Sequence, residues 1–301
     1  MNIQVLWIDD QWKDQPDFIA DAEFENIDVT PAESHEEGMN ELNGKEDFFD
    51  AVILDAKVKD AKDSTVTNLI GLKNSRDKLI ELNKEIYLPF FIFTGQPDYA
   101  NNDIFEQSFG KYYLKGQDNN KLLEDIRINV ALKPERQFRL KFSEAFHCFD
   151  LGILNQNAKR LLIANLENLE KEDFRKKNIN VQRDMLEAIF IGLNKPIPCI
   201  PNEFFNNNAP IQECCVRFLE NRPTNNNKRR TDSDFFESTL TVQLPQDIKS
   251  AIRKLKESTN GYSHLHENDM AKYPFLANTF LILELLEWLP KFVEVNYKNY
   301  I

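Results

Sequence analysis

The sequence predicts two domains of different class: a doubly wound α/β domain with a five-stranded parallel sheet over residues 1–132, and an α-helical bundle over residues 133–301. Three observations carry the prediction. Short apolar runs alternate with amphipathic stretches in the front half, and near residue 138 this gives way to sustained helical periodicity. The charge balance also changes: residues 1–130 hold 27 acids against 13 bases, whereas residues 131–301 hold 22 against 24. With 301 residues there is room for two cores of ordinary size.

The strands come first. Ile3–Ile8 (IQVLWI) stops at Asp9-Asp10, Ala51–Leu54 (AVIL) at Asp55, Phe90–Phe93 (FFIF) at Thr94-Gly95, and Tyr112–Leu114 (YYL) at Lys115-Gly116. Runs rich in β-branched and aromatic residues, without polar alternation, read as strands covered on both faces. Ile27–Pro31 supplies the remaining strand. Helical patterns between them cover Glu36–Leu42, Leu69–Leu82 and Asn119–Asn129. Strands alternating with helices imply right-handed crossovers and a parallel sheet.

The back half predicts helices over Phe138–Phe149, Asn155–Leu169, Asn180–Leu193, Ile211–Glu220, Pro245–Ser258 and Pro274–Trp288, with a minor strand at Val242–Leu244. Asn194–Pro210, with four prolines and an Asn run, reads as irregular, and Arg222–Asp234 as a solvated loop. Phe275–Leu289 is apolar nearly all round, which places it at the centre of the bundle or, secondarily, at a dimer interface.

Composition narrows the functional classes. The chain is 42% apolar and 29% charged, without an apolar run long enough to cross a membrane or a secretory signal, so a cytoplasmic protein is expected. The acidic front half argues against nucleic-acid binding by that domain alone. Cys148, Cys199, Cys214 and Cys215 lack a C-x-x-C pairing and read as free thiols. Nucleotide-binding glycine loops and zinc-protease motifs are absent.

In an open parallel sheet the carboxyl ends of the strands line one crevice. Asp9 and Asp10, Asp55, Thr94 and Lys115, which close four separate apolar runs, are therefore expected to converge there. Three carboxylates repel one another and call for a hard divalent cation, for which Mg²⁺ with its oxygen preference is suited. A hydroxyl and an ammonium beside that cation match the needs of an incoming phosphoryl group. Asp55, closing a central strand, suits the role of carboxylate nucleophile.

The segments WIDD, VILD, FTG and YYLKG resemble the response-regulator receiver family over residues 1 to about 130. The resemblance implies that Asp55 accepts the phosphoryl group. It further implies that Asp10 and Asp55 ligate Mg²⁺ directly, with Asp9 acting through water and the main-chain carbonyl of Lys57 as another ligand. Thr94 would be the switch hydroxyl, followed by the small Gly95; Lys115 would pair with phosphoryl oxygens, and Tyr112 would be the aromatic whose rotamer reports phosphorylation. A sensor histidine kinase or phosphotransfer protein would be the phosphodonor partner, and a homodimer a possible assembly. Two features depart from the family. The stretch from Asp55 to Gly71 is about eight residues longer than the norm and carries Lys57, Lys59, Asp60, Lys62 and Asp63 beside the site. It reads as an insertion that surface loops accept at little cost or, alternatively, as a gate on phosphodonor access or a restraint on dephosphorylation. Gly116 follows Lys115 where the family has a cis proline, and glycine is expected to make the same turn.

The back half is less distinctive. Ser258–Asp269 (STNGYSHLHEND) sets Asn260, His264 and His266 between two helices, as a satisfied polar turn or as a metal or acid–base site. Asn260-Gly-Tyr-Ser-His264, with Arg183–Glu187 upstream, weakly resembles HEPN-type bundles, in which a late N-x-x-x-H element serves RNA cleavage. Thr259 stands where that motif has arginine. Lys228–Arg230 forms a small basic cluster in a solvated loop. The expected function is a response regulator in which phosphorylation of Asp55 switches a helical output domain working through protein contacts or dimerisation. The alternatives are an RNase or phage-defence effector under receiver control, and a phosphorylation-independent docking module.

Overall fold

In the computed structural model, residues 2–46, 48–57, 59, 69–83, 86–95, 103–222, 224, 240–261 and 271–300 are described, with side chains at 103 and 104 excepted. The chain divides into two compact units, Met1–Gln137 and Phe138–Ile301.

The first unit is built on strands β1 (Ile3–Ile8), β2 (Ile27–Ala32), β3 (Ala51–Leu54), β4 (Phe90–Thr94) and β5 (Tyr112–Leu114). They form one parallel sheet in the order β2-β1-β3-β4-β5. Helices α1 (Pro16–Phe24), α2 (His35–Leu42), α3 (Leu69–Leu82), α4 (Asp103–Phe109) and α5 (Asn119–Ala131) provide the connections. Successive side chains of a strand point to opposite faces, and here both faces are apolar. Val5, Trp7, Ile53 and Phe93 pack with Phe18 and Ala22 of α1 and Leu122 and Ile126 of α5. Leu6, Ile8, Leu54 and Ile92 pack with Leu42 of α2, Leu72 and Leu79 of α3 and Phe105 of α4. Each of these buried side chains larger than alanine contributes roughly 1.5–3 kcal/mol. This double covering explains why the runs read as uninterrupted apolar segments.

Helices α1 and α4 were not anticipated. They are short, at 9 and 7 residues, and α1 buries only Phe18 and Ala22, too few positions to show a period. The start of α2 is better marked: Ser34 accepts the Glu37 N–H at 3.1 Å, and the Glu37 carboxylate reaches back to the Glu33 N–H at 2.7 Å.

The division between units falls within α6 (Pro134–Lys141). The second unit comprises α7 (Ser143–Asp150), α8 (Gln156–Glu170), α9 (Lys176–Gly192), α10 (Gln212–Leu219), α11 (Gln246–Gly261) and α12 (Lys272–Asn296). The helix expected over Phe138–Phe149 is two helices, because Phe142 leaves the helical region at φ −133° and ψ 42°. Val242–Leu244 is not a strand. Leu240 and Leu244 are buried and Val242 packs beside the same core, so the alternating pattern marks anchor points of an irregular segment. A small hairpin, β6 (Phe205–Asn206) with β7 (Ala209–Pro210), occupies part of the segment read as irregular. Asn207 and Asn208 form its turn at φ 49° and 66°, left-handed values that asparagine tolerates best among residues with a Cβ.

Helix α12 runs through the bundle core, burying Phe275, Ile282, Leu286, Leu289 and Val293. A buried polar cluster sits among these apolar contacts. Gln182 Nε2 lies 3.0 Å from Asn165 Oδ1 and 2.9 Å from the Phe275 carbonyl, and Asn278 Nδ2 donates to Gln182 Oε1 at 3.0 Å. No described helix is long and apolar enough to cross a membrane. The four cysteines are free thiols, three of them buried.

Candidate functional site

The ladder of the parallel sheet runs one residue past each strand and so fixes the backbone of the chemically active positions. The Asp9 N–H donates to the Ala32 carbonyl at 2.8 Å, that of Asp55 to Ile8 at 2.9 Å, and that of Lys115 to Thr94 at 2.9 Å. Asp9, Asp55, Thr94 and Lys115 are thus held at one edge, the carboxyl edge, of neighbouring strands β1, β3, β4 and β5.

The side chains meet at Lys115. Its Nζ lies 2.7 Å from Asp9 Oδ2 and 2.7 Å from Asp55 Oδ1. Asp55 Oδ2 accepts the Lys57 N–H at 2.7 Å, and Asp9 Oδ1 accepts the Gln11 N–H at 2.8 Å. Asp9 is 0% exposed and Asp55 6%. Burial, reinforced by the charge of Asp55, holds the Asp9 carboxyl above its ordinary range even with Lys115 beside it. Burial alone would lower the pKa of Lys115, but the charges of Asp55 and Asp9 raise it above its ordinary value. Two buried carboxylates share one ammonium, which leaves the site short of positive charge.

Asp10 is half-buried and faces a different cation, Lys59, with Nζ 3.7 Å from Asp10 Oδ2. Among the described residues, no three His, Cys, Asp or Glu side chains are grouped closely enough to hold a metal by themselves. The donor set nevertheless suits a hard cation: the carboxylate oxygens of Asp9, Asp10 and Asp55 carry more negative charge than the neighbouring ammonium groups balance. The main-chain carbonyl of Lys57 belongs to the turn whose N–H is already bound to Asp55.

Thr94 is fully buried at the end of β4, on the sheet face that also carries Ile92 and, in register with it, Tyr112. The half-buried Tyr112 ring packs edge-on against Phe105 of α4, with centroids 5.5 Å apart. A Cβ on Gly95 would stand 3.6 Å from the Lys115 side chain, an ordinary contact. Gly116 corrects an expectation. Its φ of +79° is closed to proline, so this turn differs from a cis-proline turn, and its N–H is bound by Asn119 Oδ1 at 2.8 Å.

In the second unit, Asn260 belongs to the last turn of α11 rather than to a loop. Its Nδ2 lies 3.5 Å from Gln212 Oε1; Gln212 donates to Glu187 at 2.6 Å, and Arg183 pairs with Glu187 at 3.3 Å. Asn260 and the Arg183–Glu187 segment are therefore linked through Gln212, a residue without a distinctive sequence pattern. His264, His266 and the Lys228–Arg230 cluster lie outside the described residues.

No protein-family model and no curated protein matches the chain. Among solved structures, a response regulator receiver domain protein from Clostridium thermocellum is 20% identical, with a TM-score of 0.33 over 42% of this chain and 94% of its own. A CheY-like response regulator receiver domain protein from Methanospirillum hungatei JF-1 is 21% identical, with a TM-score of 0.33 over 43% and 94%. The Francisella response regulator 1452 receiver domain is 21% identical, with the same TM-score over 43% and 97%. These alignments cover the N-terminal part of the chain, which holds the parallel five-stranded sheet.

Proposed function

We propose that the first domain, residues 1–132, is a phosphoryl-accepting receiver and that its phosphorylation on Asp55 switches the helical domain, residues 133–301, which acts through protein contacts or dimerisation. The observation that carries this reading is the Lys115 ammonium held 2.7 Å from both Asp9 and Asp55 at the carboxyl edge of the sheet. Mg²⁺ would be held by Asp10, Asp55, the Lys57 carbonyl and, through water, Asp9. When bound it supplies positive charge against the phosphoryl oxygens and orients the group for in-line transfer.

The chain's own residues do the rest. An oxygen of Asp55 forms the new bond to phosphorus as the bond to the donor breaks, and the donor's electron pair leaves on its imidazole or acyl oxygen. Lys115 passes from the Asp55 carboxylate to the phosphoryl oxygens, keeping its charge where negative charge accumulates. Thr94 offers its hydroxyl as a donor to the same group. Its movement shifts the packing of Tyr112 and Phe105, and the unit changes between two pre-existing arrangements. The phosphodonor partner is a sensor histidine kinase or a phosphotransfer protein.

Incubation with acetyl phosphate and Mg²⁺, followed by intact-mass measurement, tests the reading. The wild type is expected to gain one phosphoryl group in an acid-stable, base-labile acyl linkage, and Asp55→Asn to gain none. Equal labelling of both proteins, or of neither, contradicts it.

A further inference from the structure

We propose that Lys59 is a tethered counter-cation that competes with the divalent ion for the acidic site and so sets the metal affinity of this chain. The inference rests on the receiver reading, because it assumes that Asp9, Asp10 and Asp55 take Mg²⁺.

Lys59 belongs to the lengthened connection after β3, and its position is set by backbone contacts. It forms a parallel bridge with Ser34, and its carbonyl accepts the His35 N–H at 2.8 Å. Ser34 is itself buried and caps α2 through the Glu37 N–H. The main chain at Lys59 is therefore attached to a capped helix start beside the carboxyl end of β2. From there its Nζ reaches to 3.7 Å from Asp10 Oδ2, and the two side chains retain only 32% and 12% of their exposure.

The charge pattern follows. Lys115 stands on Asp9 and Asp55, and Lys59 on Asp10, so each carboxylate already has an ammonium beside it. A divalent ion taking an oxygen of Asp10 meets the Lys59 charge a few ångströms away, in a setting where water screens it incompletely. Lys115 is useful to the phosphoryl group, whereas Lys59, on the far carboxylate, serves as a stand-in for the metal. Removing its charge while keeping its apolar stem favours the metal.

The test is calorimetric titration with Mg²⁺ alone, in the full-length chain, for wild type, Lys59→Met and Lys59→Arg, with far-UV circular dichroism as the check on folding. Removing one partly screened positive charge beside a divalent ion is expected to tighten binding about tenfold in Lys59→Met. Lys59→Arg, which keeps the charge, is expected to stay near wild type. Equal or weaker binding by Lys59→Met than by wild type overturns the competition while leaving the receiver reading in place. Absence of Mg²⁺ binding in all three proteins overturns both.

Discussion

Asp9 and Asp50 are the same residue type at opposite ends of the same sheet, and their environments push them in opposite directions. Asp50 precedes β3 and accepts hydrogen bonds from the Gln4 N–H at 3.1 Å and Arg136 Nη2 at 2.6 Å, with Lys133 Nζ at 3.2 Å. Burial would raise its pKa, but the Arg136 hydrogen bond and the Lys133 charge hold it below the ordinary carboxylate value. Asp50 is thus a satisfied structural ion, whereas Asp9 is left short of positive charge, the usual condition of a functional group. A carboxyl depressed in the folded state stabilises the fold above its unfolded pKa of about 4 and loses that contribution as pH falls through the folded value. Asp50→Asn is expected to lower stability near neutral pH by about 3 kcal/mol, since it leaves two cations with a neutral partner. Chemical denaturation of the variant should also show a flatter acid limb below pH of about 4. An unchanged acid limb would assign the effect elsewhere. Nothing local in the sequence announced this triad, because Lys133 and Arg136 lie far along the chain and their partner is fixed only by the fold.

Elements whose buried face spans several turns were legible, and those with few buried positions were not. Helix α3 begins and ends where its periodicity does, at Leu69 and Leu82, and β1, β3 and β5 match their apolar runs. Helices α1 and α4 escaped because one or two buried contacts make no period. The apparent strand at Val242–Leu244 shows the converse error, in which alternation arose from irregular anchoring rather than pairing. The polar cluster of α8, α9 and α12 was also illegible, since Asn165, Gln182, Asn278 and Thr279 look like solvated helix positions yet are at most 1% exposed. Such a cluster is stable only when each member is bonded, and it fixes the mutual register of the three helices. Gln182→Leu keeps the volume but leaves Asn165, Asn278 and the Phe275 carbonyl each without a hydrogen-bond partner in Gln182. It is expected to destabilise the protein by about 2–3 kcal/mol in urea denaturation. A neutral result would show that the cluster does not hold the helices in register.

At the scale of the molecule, the placement of Asp9, Asp55, Thr94 and Lys115 at one sheet edge was legible because topology does the gathering. Asp9, Asp10, Asp55, Thr94 and Lys115 are dispersed in sequence, but a doubly wound sheet sends the carboxyl ends of all its strands to one edge. Sequence reading placed Lys59 only in an insertion near the site; its pairing with Asp10 depends on the bridge to Ser34, which no local pattern encodes. The helical unit offered no comparable rule. Its fold follows from helical periodicity, but a bundle has no common edge that gathers functional groups, so Asn260 and Glu187 were connected only once Gln212 was seen between them.

Asp55 as a proposed phosphoryl acceptor should make its occupancy felt by the rest of the chain. The most direct test adds Mg²⁺ and beryllofluoride, a mimic of the bound phosphoryl group, to the full-length protein. Tryptophan fluorescence reports on Trp7, buried against Phe18 and Phe93 at the base of the Asp9 segment, once the signals of Trp12 and Trp288 are removed by Trp→Phe substitution, and light scattering reports the assembled mass. The wild type is expected to show a fluorescence change that requires both Mg²⁺ and beryllofluoride and is lost in Asp55→Asn, with any mass change following the same pattern. An identical response in the two proteins, or none in either, contradicts it.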